Sequence, residues 1–249
     1  MVQVKGLTKS FTTKKISKKV LDAITFEAFD SQVFGLLGPN GAGKTTTLRT
    51  IATLLKPDVG TVSVDGYDVV SHGTEVRNRI GFLTGDMKLS GHLSCREMMR
   101  FFGALNHMEP KVLNKRIAEL ANQLGMEDFL DKQIAKLSAG MSQKTAIAVS
   151  ILHDPHVIIF DEPTSNLDIL AVKVVADFIK DSKEAGKCVI LSTHVLSEAE
   201  RLCDRIGIIH KGKLLCSGEK DLLLTDYKAA NLEDLFFNLV SLQEVRNDA

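Results

Sequence analysis

The stretch Phe34-Gly-Leu-Leu-Gly-Pro-Asn-Gly-Ala-Gly-Lys-Thr-Thr, residues 34–46, constrains this chain more than any other. A short apolar run opens it in the manner of a buried strand, and Thr45-Thr46-Thr47-Leu48 closes it as the first turn of a helix. Between them Gly38, Gly43, Lys44 and Thr45 fit the spacing G-x-x-x-x-G-K-[ST]. Glycines let the backbone turn tightly and aim several N–H groups at one centre, an anion cradle formed here by Gly38, Pro39, Asn40, Gly41, Ala42 and Gly43. Lys44 is placed to reach the β- and γ-phosphates as a point charge, and the Thr45 hydroxyl suits Mg²⁺. The stretch implies binding of a nucleoside triphosphate.

A chain of 249 residues accommodates one large α/β domain, or a core with an inserted subdomain. Its 31 basic residues balance 31 acidic ones, so bulk charge points neither to nucleic acid nor to an acidic lipid surface. The local cluster Lys14-Lys15 with Lys18-Lys19 reads as solvated loop charge. Cys95, Cys188, Cys203 and Cys216 are scattered without a C-x-x-C, which suggests reduced thiols rather than zinc or a disulfide framework. No apolar stretch approaches the roughly 18 residues of a spanning helix, and the N-terminus lacks a signal-peptide pattern. Any tie to a membrane is expected to run through a partner.

Short β-like runs come first: Val2 to Val4, Ile24 to Ala28, Val33 to Leu37 and Thr61 to Val64, with Val59-Gly60 and Asp65-Gly66 as turn signals. Helical spacing dominates from Ser94 to Gln123, broken near Glu109-Pro110. Val157 to Phe160 and Val189 to Leu191 have the apolar density of buried parallel strands. Ile169 to Glu184 is predicted as a helix, with Ser165 and Asp168 resembling a capping box before it. In the tail beyond Glu219, Leu232, Leu235, Phe236 and Leu239 share a helix face.

Val157-Ile-Ile-Phe-Asp161-Glu162 is an apolar strand ending in two carboxylates. Ligands of parallel α/β sheets gather at the carboxyl ends of strands, so Asp161 is the natural Mg²⁺ partner of Thr45, and Glu162 is placed to polarise an attacking water. Leu137-Ser-Ala-Gly-Met-Ser-Gln143 opens a helix expected to end at Asp154-Pro155. Alone it reads as an ordinary helix cap, with a hydroxyl and N–H donors to offer an anion.

Taken together, Gly38 to Thr46, Leu137 to Gln143, Val157 to Glu162, Ser165-Asn-Leu-Asp168 and Ser192-Thr-His194 stand in the order found in the ATP-binding cassette (ABC) ATPases. The resemblance covers nearly the whole chain. It implies an α/β fold: a P-loop NTPase (RecA-like) core with an N-terminal antiparallel β subdomain and an inserted α-helical subdomain. As a single domain over 1–249, the core would take 1–85 and 151–218, the helical signature subdomain 86–150, and a helical tail 219–249. The resemblance implies ATP and Mg²⁺ as cofactors and a head-to-tail dimer of two copies sandwiching two ATP. Lys44, Thr45 and Thr46 would hold the phosphates and Mg²⁺ of one ATP, while Ser138 and Gly140 contact the γ-phosphate held by the opposite copy. Glu162 looks like the general base, His194 like the switch beside the γ-phosphate, and Asp168 like part of the loop linking the two sites. Phe11 stands where the family stacks an aromatic on adenine, with a core-facing ring as the alternative.

Two positions depart from the family pattern. Ala139 replaces the first signature glycine, and Gly85 stands in Ile80-Gly-Phe-Leu-Thr-Gly85-Asp86 where the coupling loop normally carries glutamine. Asp86 would offer an oxygen from one residue along. The same gap, followed by Leu89, Leu93, Ser94, Arg96 and Glu97, resembles the sodium-exporter type, as does Asn231-Leu-Glu-Asp-Leu-Phe236, shared with drug-exporter relatives. The expectation is an ATP-hydrolysing subunit on the cytoplasmic face of the membrane. It would drive sodium, cation or drug efflux through a separate transmembrane permease, without nucleic acid. The alternatives are a regulatory ATP-binding cassette with little hydrolysis and a soluble ABC ATPase outside transport.

Overall fold

In Val33-Phe34-Gly35-Leu36-Leu37, successive side chains leave the backbone on opposite sides, as a pleated strand requires. Val33 and Leu37 enter one hydrophobic core, Phe34 and Leu36 a second. Ile158 and Phe160 divide from Val157 and Ile159 in the same way, as do Val189 and Leu191 from Cys188 and Ile190. Such strands belong to a parallel sheet covered on both faces. The computed structural model describes residues 1–13, 16–85, 87–165 and 167–247.

Among the described residues the central sheet has six strands: β3 (Gln32–Leu37), β6 (Ile80–Leu83), β7 (Val157–Asp161), β8 (Cys188–Thr193), β9 (Arg205–His210) and β10 (Lys213–Glu219). Their order is β10-β9-β3-β8-β7-β6, parallel except for the β9–β10 hairpin. The parallel register sets Leu37, Thr193 and Asp161 near one edge, where the carboxyl ends gather. A four-stranded antiparallel sheet, β2-β1-β4-β5, is built from β1 (Val2–Thr13), β2 (Ile16–Ala28), β4 (Val59–Val64) and β5 (Tyr67–Asp68). Between the sheets lies α1 (Lys44–Ile51), with Leu48 and Ile51 buried in the second core. The fold is thus the expected P-loop α/β core with an antiparallel N-terminal sheet.

The first two strands run far beyond the predicted Val2 to Val4 and Ile24 to Ala28, because residues 9–13 and 16–19 pair as a ribbon. Gly60 is not in a turn but within β4. An added Cβ there would lie 2.4 Å from the Gly6 carbonyl oxygen, so the glycine permits close passage beside β1. Asp65-Gly66 does turn the chain, with both residues at positive φ between β4 and β5. A short helix, α2 (Gly73–Arg77), precedes β6.

On the other face of the central sheet, α3 (Cys95–Leu105), α4 (Pro110–Gln123) and α5 (Ala139–Ser150) pack in the first core with α6 (Ile169–Glu184). The break at Glu109-Pro110 is real, and Pro110 starts α4. Ser94 and Glu97 form a reciprocal capping box on α3, and Arg96 pairs with Asp131 at 2.6 Å. α5 ends at Ser150 rather than at Asp154, since Asp154 takes φ 55° before Pro155 and cannot continue the helix. Asp168 alone caps α6, its Oδ1 accepting from Ala171 N at 2.9 Å; Ser165 turns elsewhere. α7 (Leu196–Leu202), α8 (Lys220–Asp226) and α9 (Leu232–Asn247) complete the chain. The predicted shared face of α9 is real: Leu232, Leu235 and Leu239 are buried, and Phe236 packs beside them. Lys14, Lys15, Asp86 and Asn166 lie outside the described residues, and with them the oxygen expected from Asp86.

Candidate functional site

The phosphate loop joins β3 to α1 at the gathered strand ends. A Cβ on Gly38 would fall 2.1 Å from the Ile209 carbonyl oxygen, so only glycine lets the loop press against β9. Gly43 caps α1 at φ 115° and supplies no side-chain oxygen, which leaves the first helical amides to an outside acceptor. Ala42 N donates to Pro39 O at 3.2 Å and Gly212 N to Ala42 O at 3.0 Å, fixing the loop's curvature. Asn40 and Gly41 are exposed at its tip.

Lys44 is buried, and its Nζ donates to Gly38 O at 2.7 Å and Pro39 O at 3.2 Å. Burial pushes its ammonium down in pKa, while Glu162 and Asp161 work in the opposite sense. A cleft of about 380 Å³ lies beside it, lined by Thr45, Arg49, Gly85, Gln143, Asp161, Glu162 and Ser165.

Asp161 ends β7 and is buried; Ser192 Oγ, opposite it on β8, donates to its Oδ1. Glu162 follows at φ 52°, a left-handed conformation costly for a residue with a side chain. Glu162 N is held by both Ser192 Oγ and Ser192 O at 3.2 Å, which keeps the bend in place. The Glu162 carboxylate lies 3.5 Å from Lys44 Nζ and 3.1 Å from His194 Nδ1, and Ser165 Oγ donates to it at 3.1 Å. Burial disfavours its charge, but His194, Lys44 and Ser165 outweigh that and hold the carboxyl below its ordinary range. A carboxylate only accepts, so Nδ1 of His194 carries the proton.

These donors fit a polyphosphate with a hard cation. An uncapped helix start and an ammonium suit the anion, while the Thr45 hydroxyl and the Asp161 carboxylate suit Mg²⁺. Gly85 lines the cleft where glutamine is expected, and the nearest atom to an added Cβ is Asp161 O at 3.6 Å.

Ser138, Gly140 and Asp168 form a separate group. Ser138 caps α5, its Oγ accepting from Met141 N at 3.3 Å. A Cβ on Gly140 would come within 3.2 Å of Ala171 Cβ and 3.5 Å of Asp168 Oδ2. None of the three lines the cleft; Gln143, one turn along α5, does, and its Nε2 donates to Pro163 O at 2.9 Å. Phe11 sits on β1, 40% exposed, with Lys9 Nζ 5.6 Å from its ring centre, so it is not a core side chain.

Ser192, Ser165 and Gln143 escaped sequence reasoning as site residues. Ser192 was noted only as the start of Ser192-Thr-His194, and its register with Asp161 is a long-range property.

The sequence profile of the ABC transporter family matches residues 21–165. The chain is 36% identical over 242 residues to the ABC transporter ATP-binding protein NatA of Bacillus subtilis (strain 168), covering 97% of each chain. It is similar to a solved ATP-binding subunit of an ABC transporter, with a TM-score of 0.87, 29% identity and coverage of 96% of this chain and 99% of that one. It is also similar to the dimeric post-hydrolysis ATP-binding cassette MJ0796 bound to ADP and Pi, with a TM-score of 0.79, 26% identity and coverage of 88% and 98%.

Proposed function

The chain belongs to the ABC transporter family of ATP-binding proteins, and we propose that it is the ATP-hydrolysing subunit of an export system whose membrane-spanning subunit is a separate chain. One observation carries the hydrolytic reading: a single carboxylate, Glu162, lies 3.1 Å from His194 Nδ1 and 3.5 Å from Lys44 Nζ at the mouth of the cleft.

In this reading Lys44, Thr45 and Thr46, with the backbone from Gly38 to Gly43, hold the phosphates, and Phe11 stacks on adenine. Thr45 and Asp161 would hold Mg²⁺, which would supply neutralisation of phosphate charge when bound. Glu162 accepts a proton from the attacking water; its lowered pKa keeps it ionised and ready to accept. His194 donates to Glu162 through Nδ1 and addresses the terminal phosphate through Nε2, as a donor when the ring carries both protons. Ser138 and Gly140 meet the phosphate held by a second copy, and Asp168 links the two sites. Their distance from this chain's own cleft supports that division. Beside Asp168, Ile169 and Leu170 are 88% and 78% exposed, an apolar pair suited to a partner copy.

Closure of two copies on ATP would drive the membrane subunit, and hydrolysis would reopen them. No helix among the described residues is long and apolar enough to cross a membrane. In this reading the chain works on the cytoplasmic face of the membrane, held there by its partner. The pattern from Leu89 to Glu97, with Asn231 to Phe236, supports sodium, other cation or drug efflux.

A second reading, a regulatory cassette with little hydrolysis, is favoured by Gly85, which brings no side chain to the cleft. Steady-state ATPase activity and size-exclusion in ATP, for wild type and Glu162→Gln, separate the two. The motor reading expects wild-type turnover, and for Glu162→Gln no turnover but an ATP-dependent dimer. Absence of both hydrolysis and dimerisation in wild type, with its membrane partner present, would overturn it.

A further inference from the structure

A second, smaller cavity of about 120 Å³ is lined by Gly38, Pro39, His194, Leu196 and Phe236. The phenylalanine comes from α9, at the far end of the chain. It is held there from several directions. Leu232, Leu235 and Leu239 on its own helix are buried, and Leu232 N donates to Glu200 Oε1 of α7 at 2.8 Å. The His210 ring meets the Phe236 ring edge-on at 6.4 Å, and His210 Nδ1 lies 3.1 Å from Gln243 Oε1 about two turns further along α9. Phe237 next door is 58% exposed and borders neither cavity nor cleft, so the place in the cavity wall belongs to one ring rather than to an apolar tail in general.

The backbone at the switch is fixed independently, because Val195 N donates to Thr193 Oγ1 at 2.9 Å and α7 starts at Leu196. That fixes the Cα of His194 but not its ring, whose side-chain torsions have several wells. The ring is 43% exposed and, among the described residues, has Glu162 as its polar partner. Across the small cavity it faces the apolar wall made by Pro39, Leu196 and Phe236.

We propose that Phe236 is a positioning residue for His194. The C-terminal helix closes the wall beside the phosphate loop and keeps the imidazole turned toward Glu162. The inference deepens the hydrolytic reading and rests on it, but its first test needs no nucleotide.

In the ligand-free chain labelled at histidine, the ring ¹⁵N and ¹³C signals of His194, assigned by their loss in His194→Gln, report tautomer and ring order. Wild type is expected to show one Nδ1-protonated form. Phe236→Ala should show exchange-averaged signals, Phe236→Leu most of the wild-type pattern, and Phe237→Ala all of it. In steady-state kinetics Phe236→Ala should lose about tenfold in kcat, as a mispositioned catalytic group does, with KM for ATP within about twofold. Unchanged His194 signals in folded Phe236→Ala would overturn the proposal, as would an equal loss in Phe237→Ala, which would mean that any weakening of α9 suffices. If Phe236→Ala does not unfold cooperatively, Phe236→Val decides in its place: partly averaged His194 signals uphold the proposal, and wild-type signals overturn it. Failure of the Glu162→Gln experiment would remove the hydrolytic reading and leave the His194 signals to be read alone.

Discussion

Ser192 Oγ donates to Asp161 Oδ1 across the β7–β8 pair and accepts from Glu162 N at 3.2 Å. One small buried hydroxyl therefore orients the proposed metal ligand and braces the strained residue that follows it. Its deletion should be felt in both places.

Ser192→Ala is expected to lower stability by about 1–3 kcal/mol, since it leaves the buried Asp161 carboxylate short of a partner and Glu162 N with only the Ser192 carbonyl. It should also raise the Mg²⁺ concentration needed for half-maximal ATP turnover about tenfold, the usual scale for loss of a group that orients a metal ligand. Urea denaturation and Mg²⁺ titration of the ATPase rate measure the two effects. An unchanged Mg²⁺ midpoint would show that Asp161 does not depend on Ser192.

Two glycines near the phosphates should respond oppositely to substitution. Gly38→Ala drives a methyl group against the Ile209 carbonyl, 2.1 Å from where the Cβ must go, and should cost about 3 kcal/mol or more. Gly85→Gln meets nothing closer than 3.6 Å at Cβ and should change stability by no more than about 0.5 kcal/mol. If the missing amide limits turnover, Gly85→Gln also raises kcat. Thermal unfolding and ATPase assays of the two variants check this, and a destabilised Gly85→Gln would mean the space at the cleft mouth is not available.

Glu162 gives a pH prediction with a definite sign. Its carboxyl is held below the ordinary 4.5 because His194, Lys44 and Ser165 overcome the cost of burial. A depressed carboxyl adds stability above its unfolded pKa, and that contribution is lost as pH falls through the folded value below 4.5. The stability of Glu162→Gln relative to wild type should therefore rise between about pH 6 and about pH 3. Urea denaturation at a series of pH values tests it; a constant difference across that range would contradict the assignment.

The four cysteines are expected to be inert in the native chain. Burial raises Cys188 and Cys203 to about 12 and Cys216 to about 11, and pushes Cys95 up as well. The thiolate is the nucleophile, so alkylation by iodoacetamide at about pH 8 should be at least a hundredfold slower than in urea. Mass spectrometry of the labelled protein gives the count, and fast native labelling at Cys203 would reveal local opening around α7.

Those features that depend on local spacing were legible in the sequence. The phosphate loop, the strand ending in Asp161-Glu162, the helix from Ile169 to Glu184 and the apolar face of α9 all follow from patterns a few residues long. The long ribbon between β1 and β2 did not, because Ser17, Lys18 and Lys19 are exposed there and no buried face imposes alternation. Ser165 was read as a cap, yet Asp168 caps α6 and Ser165 turns to Glu162; the two roles differ by one rotation of the chain that spacing does not fix. The run from Leu89 to Glu97, first recognised as a subfamily mark, has a plain physical part: Ser94 and Glu97 start a helix and Arg96 ties it to Asp131. Phe236 could be placed on an apolar face, but which ring or loop that face meets depends on how the last helix lies against α7.

The position of β8 between β3 and β7 carries a consequence for synthesis. A chain leaving the ribosome exposes its phosphate loop by residue 46, but the strand that must lie directly beside it ends at Thr193, and β9, which covers its other flank, only at His210. Until then β3 has neither neighbour, and two edges rich in apolar residues stay open to other chains. Nucleotide competence therefore arrives late, only once the chain has been made as far as His210. The order of the strands in the sheet thus makes this a protein whose nascent form needs protection before it has any work to perform.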